Sequence, residues 1–119
     1  GQKIPVVINS TRYGRASEVG PFTRGLYAFG LNNLDKKIPK QHIKQFNEHG
    51  YAFNLVDVRG TGASFGVHEN EWSRDEVKDY GEIIDWASKQ NWSNGKVSTL
   101  GVSYAGNTAE LAAVSNHPA

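Results

Sequence analysis

Three short runs of strand character alternate along this chain with three stretches of helical character, and that alternation restricts the fold more than any other feature. Ile4 to Ile8 (IPVVI) is a short continuous apolar run rich in β-branched residues, as in a strand buried on both faces. Tyr51 to Val58 (YAFNLVDV) reads as a second strand and Lys96 to Leu100 (KVSTL) as a third. A helix is predicted from Pro39 to His49, with Pro in its first turn and Gly50 as its stop. Ser73-Arg74-Asp75-Glu76 has the form of a capping box, and the helix it opens carries Val77, Tyr80, Ile84 and Ala87 along one face. Asn94-Gly95 marks the end of that region. The last stretch, Tyr104 to Val114, is rich in Ala and suits a helix lying close on a sheet. Such an order predicts an α/β chain of parallel strands joined by crossover helices. No repeat, low-complexity tract or linker divides it, so residues 1–119 read as part of one domain.

The chemistry points to one place. In Leu100-Gly101-Val102-Ser103-Tyr104-Ala105-Gly106 a strand ends, the chain turns at a Ser among small residues, and an Ala-rich helix begins. That is the context of a nucleophile elbow, in which a strained turn lifts the Ser hydroxyl above the strand ends of an α/β-hydrolase sheet. Small residues before and after the Ser let the strand and helix backbones approach. The Tyr104 N–H, at the helix N-terminus, is then placed to donate to a developing oxyanion.

Composition narrows the partners. A net charge of +1 conceals nine Lys/Arg against four Asp/Glu in residues 1–60, and four against eight in residues 61–119. The nearest approach to a basic patch is Lys36, Lys37, Lys40 and Lys44, which fit the solvated face of a short helix rather than a nucleic-acid footprint. No apolar run reaches the roughly 20 residues of a membrane helix. The lack of Cys excludes disulfides and thiolate chemistry, and nothing in the sequence implies a cofactor or a metal.

The segment Asp57-Val58-Arg59-Gly60-Thr61-Gly62-Ala63-Ser64-Phe65-Gly66 resembles the D-x-R-G-x-G-x-S-x-G signature of the Xaa-Pro dipeptidyl-peptidase and cocaine-esterase family of α/β-hydrolases. Ile84, Trp86, Gln90, Trp92, Gly95 and Val97 match the family's next segment, and Gly101, Ser103, Tyr104 and Gly106 match its elbow, G-x-S-Y-x-G. The likeness covers about residues 4–119; Ser98 stands where the family often has Gly. It implies a partial α/β-hydrolase fold and a serine hydrolase acting on small esters or short peptides, with Ser103 as nucleophile. It also implies a second oxyanion donor, the hydroxyl of Tyr13, just after the strand that precedes the Gly-rich stretch. Within that stretch Phe22, Tyr27 and Phe29 are candidates to line an acyl pocket.

A serine hydrolase also needs a His base and an acid to orient it. After Ser103 the chain holds only Glu110 and His117, and His117 would stand about 20 Å away along a continuous helix. His42, His49 and His68 precede the Ser, against the chain order of this fold, and read as exposed or loop histidines. Asp57 also precedes it and reads as a tie for the Arg59–Gly62 turn. The acid and base are therefore expected in a further part of the same polypeptide, this chain being the N-terminal, nucleophile-bearing part of a catalytic domain. Two other classes stand beside this reading. One is a catalytically silent scaffold that keeps the hydrolase fold. The other is a dinucleotide-binding oxidoreductase built on Gly60-Thr61-Gly62, which lacks the third Gly because residue 65 is Phe.

Overall fold

The computed structural model describes residues 1–13 and 40–119. Three parallel strands, β1 (Ile4–Thr11), β2 (Ala52–Asp57) and β3 (Ser93–Thr99), form a sheet in the order β2-β1-β3. Helices α1 (Lys40–Glu48), α2 (Arg74–Ser88) and α3 (Tyr104–Val114) alternate with them. Among the described residues no helix is long and apolar enough to cross a membrane.

β1 is the central strand, and its composition follows from that position. Val6, Val7 and Ile8 are all buried, with a strand on either side and the later helices packed on Val6 and Ile8. Pro5 has no N–H to give to a neighbour. The β1–β3 register shifts where it sits, with Ile4 opposite Ser93 but Val6 opposite Val97. β3 absorbs the difference with Asn94, Gly95 and Lys96, where Gly95 has φ +83° and Ser93 Oγ and Asn94 Oδ1 accept the N–H groups of Gly95 and Lys96. Asn94-Gly95 thus has turn chemistry, as the sequence suggests, but it forms a bulge inside β3 instead of a loop before it. Proline in a strand interior is tolerated at such a bulge.

α2 and α3 lie side by side over β1 and β3. The core joins Val6 and Ile8 to Val58, to Tyr80, Ile84 and Ala87 of α2, and to Tyr104 and Ala112 of α3. The predicted face of α2 is therefore the buried one, although Val77 is only half-buried. α1 rests on β2, with Phe46 5.8 Å from Tyr51 and 5.3 Å from Phe53 between ring centres. Lys44 of α1 is exposed and pairs with Glu48, whereas Lys36 and Lys37 lie outside the described residues.

Parallel register brings the carboxyl ends of the strands to one edge: Thr11 pairs with Asp57, and Ile8 with Thr99. Tyr13, Arg59 and Ser103 all leave the sheet there, at the edge where α/β sheets carry their ligands. α3 is fastened to this edge by Thr108, a fully buried residue whose hydroxyl meets the carbonyls of Ser10 at 2.8 Å and Ala105 at 2.9 Å. Thr108→Val keeps the shape and removes the donor, leaving a buried carbonyl unpaired. It should lower stability by about 1–3 kcal/mol, read from the denaturant midpoint of the full-length protein.

Candidate active site

The turn from β3 into α3 carries the most distorted backbone of the site. Ser103 has φ +59° and ψ −126°, far from the left-handed helical well that side chains occasionally visit. Such a conformation costs on the order of 1–3 kcal/mol and persists only where the surroundings hold it. Ser103 is exposed and its side chain makes no capping bond, so the hydroxyl is not spent on the helix. Its carbonyl accepts from Gly106 N–H at 2.9 Å and Asn107 N–H at 3.1 Å, so α3 starts at once. The N–H groups of Tyr104 and Ala105 consequently have no acceptor within the helix.

Gly101 is what permits this turn. A Cβ built there would overlap the Ala105 carbonyl oxygen and stand 2.6 Å from the Gly106 nitrogen. Gly106 is different: a Cβ there would meet Gly101 at 3.5 Å, an ordinary contact. Of the small residues around the Ser, the close approach depends on Gly101.

Tyr104 is buried although it borders an exposed Ser, and its ring is held on several sides. Trp72 stacks on it at 5.5 Å and 25°, Tyr13 meets it edge-on at 6.1 Å, and the Arg12 guanidinium lies 5.0 Å from its centre. Its hydroxyl donates to Glu76 Oε1 at 2.6 Å. Glu76 is fully buried, and it also accepts from the Tyr80 hydroxyl and, through Oε2, from the Trp72 N–H at 2.9 Å. Burial first, and then the bonds to Glu76, push both tyrosine hydroxyls above their ordinary pKa. The capping box is thus half formed. Ser73 Oγ accepts from Glu76 N–H at 3.2 Å, but the Glu76 carboxylate turns inward instead of bonding Ser73 N–H. The sequence does carry a signal for this: Glu76 shares the spacing of Tyr80, Ile84 and Ala87 on the buried face.

The remaining residues of the edge serve the loop after β2. Asp57 is buried and accepts from Ala63 N–H at 3.1 Å, and its carbonyl accepts from Ser64 Oγ at 2.6 Å. Gly62, at φ +54°, packs so tightly against that carboxylate that any Cβ would overlap it. Arg59 reaches across to α2, donating through Nε and Nη2 to the two carboxylate oxygens of Asp79, both at 2.7 Å. Residues 58–73 form a loop after this turn, whereas a dinucleotide site requires a helix at once.

Tyr13 is 53% exposed and its ring stands beside that of Tyr104, the residue that follows Ser103. Phe22, Tyr27 and Phe29 lie outside the described residues. The histidines sit elsewhere: His42 is exposed on α1, His49 bonds the Gln45 carbonyl, and His117 lies 3.3 Å from Asp85 beyond the end of α3. His68 is a loop histidine but a largely buried one, with Nδ1 3.8 Å from Glu76 Oε2. Among the described residues no cluster of His, Asp and Glu could hold a metal ion.

Two neighbouring glycines therefore predict opposite results. Gly101→Ala should destabilise the full-length protein by about 3 kcal/mol or more, because backbone atoms would have to move. Gly106→Ala should be neutral or stabilising by up to about 1 kcal/mol, since alanine favours a helix interior. Thermal melting of the two variants measures the difference.

Comparison with known proteins agrees with this geometry. The family model for X-Pro dipeptidyl-peptidase (S15 family) matches residues 1–119. A Mycobacterium bovis protein provisionally named a serine esterase is 42% identical over 98% of this chain, which spans 18% of that protein's length. The cocaine esterase of a Rhodococcus species is 39% identical over 60% of the chain and 12% of its own length. The crystal structure of a CocE/NonD family hydrolase from Staphylococcus aureus superposes with a TM-score of 0.70 at 31% identity, over 99% of this chain and 21% of that one. Its sheet, its crossover helices and its match along the whole sequence place this chain in the X-Pro dipeptidyl-peptidase (S15) family, with the α/β-hydrolase type of fold.

Proposed function

We propose that the complete protein is a serine hydrolase that cleaves small esters or short peptides through an acyl-enzyme on Ser103. The observation that carries this reading is the exposed Ser103 at φ +59° and ψ −126°, poised between β3 and α3. A serine that only capped a helix would adopt relaxed torsions and bond the first turn. This one does neither.

In the reaction, Ser103 Oγ attacks the acyl carbon as a base removes its proton. The carbonyl oxygen gains charge next to the Tyr104 N–H, which α3 leaves without an intrahelical acceptor. The Tyr13 hydroxyl supplies the second donor from the end of β1. Collapse of the tetrahedral intermediate expels the alcohol or amine with the proton from the base, and water then releases the acid. We propose that acid and base come from a further part of the polypeptide, this chain matching 18% of the length of its Mycobacterium bovis relative. The names of the relatives support both substrate kinds, since they include a cocaine esterase and a Streptomyces avermitilis protein provisionally named an Xaa-Pro dipeptidyl-peptidase.

A fluorophosphonate probe should label the full-length protein at Ser103, and Ser103→Ala should abolish labelling and turnover together. Labelling that survives the change removes the assignment, and absence of labelling in the unaltered protein would favour a silent scaffold. Tyr13→Phe keeps the ring and removes one donor. It should lower kcat on the order of a hundredfold or more, as for other oxyanion-hole donors, with little change in KM. A change in KM alone would make Tyr13 a packing residue.

A further inference from the structure

We propose that Glu76 is a positioning residue for the oxyanion hole: its buried carboxylate holds the Tyr104 hydroxyl and thereby fixes the direction of the Tyr104 N–H beside Ser103. The inference rests on reading Ser103 as the nucleophile.

The peptide joining Ser103 to Tyr104 carries the N–H in question, and Ser103 itself sits in a conformation that favours relaxation. Rotation of that peptide toward ordinary torsions would swing the N–H away from the acyl oxygen. Gly101 makes room for the turn but does not hold it. A restraint has to act on the Tyr104 side, and the Tyr104 side chain supplies one. Its ring is confined by Trp72 and Tyr13, and its far end is tied to Glu76 Oε1 at 2.6 Å. Moving the Tyr104 backbone would drag that hydroxyl off its acceptor and cost the buried carboxylate one of its donors.

The anchor is itself fixed. Glu76 lies in the first turn of α2, its N–H bound to Ser73 Oγ and its second oxygen to the Trp72 N–H. Trp72 has φ +56°, a strained value for a bulky residue, and that conformation lets its N–H reach the carboxylate while its ring stacks on Tyr104. Arg59 ties α2 to the loop after β2 through Asp79. The start of α2 therefore works as a seat for the residue that follows the nucleophile.

Tyr80 gives a control: its hydroxyl meets the same Glu76 oxygen and lies by the Tyr104 hydroxyl, but it belongs to α2 and not to the turn at Ser103. In the full-length protein, Tyr104→Phe should lower kcat about tenfold, less than outright loss of an oxyanion donor, with KM within about twofold. The rate of fluorophosphonate labelling should fall in parallel. Tyr80→Phe should leave kcat within about twofold even where it lowers the melting temperature as much. Glu76→Gln added to Tyr104→Phe should lower kcat no further, as expected for two residues acting through one contact. An unchanged kcat in Tyr104→Phe, a change confined to KM, or equal losses in Tyr104→Phe and Tyr80→Phe would overturn the proposal and make Glu76 a core residue only. These outcomes are read with Ser103 labelling in hand, so they stand apart from failure of the nucleophile assignment. Labelling retained by Ser103→Ala overturns both.

Discussion

The approach of two backbones at residue 101 is the constraint on which the rest depends. Only a residue without Cβ fits against the Ala105 carbonyl, and that fit lets β3 turn into α3 through residues 100–103 alone. Everything chemical about Ser103 follows from the abrupt turn. The side chain is thrown outward, the backbone is strained, and the helix begins with unpaired N–H groups beside the hydroxyl. A longer, relaxed connection would bury the strain and separate the Ser from the helix N-terminus.

A strained turn needs support from outside its own residues, and here two elements give it. β1 anchors α3 through Thr108 and the Ser10 carbonyl, which sets the height of the helix above the sheet. The start of α2 engages the Tyr104 side chain through Trp72 and Glu76. A fully buried carboxyl group is costly unless its oxygens are satisfied, and Glu76 receives three donors. Such a node is more specific than an apolar contact of the same size. It fixes directions as well as distances, and direction is what an oxyanion donor must hold.

The loop after β2 serves the same edge in another way. Asp57 and Gly62 fold it back on the strand, and Arg59 clamps it to α2 through paired bonds to Asp79. The signature residues from Asp57 to Gly66 thus act in this chain as a brace for α2. Through Arg59 and Asp79 they hold the helix whose first turn carries Glu76.

Much of this was legible in the sequence, because local patterns carried it. The alternation of strand and helix, the buried face of α2 and the elbow are periodicities and short motifs, and each depends on neighbours within a few residues. Asn94-Gly95 shows where such reading stops. Its turn chemistry is real, but it bulges a strand opposite Pro5, some ninety residues away, instead of ending a helix. Glu76 shows it again: the capping box is a local rule, and a carboxylate at that place belongs on the surface unless distant donors surround it. Trp72 and Tyr80 donate from within about one turn, but the Tyr104 donor comes from α3 and is in place only when α2 and α3 lie side by side. The sequence by itself determined the order of elements and singled out the serine at the turn from β3 into α3. The tertiary structure decided which side chains hold that residue in place, because hydrogen bonds to a buried group are made across elements that no sequence period connects.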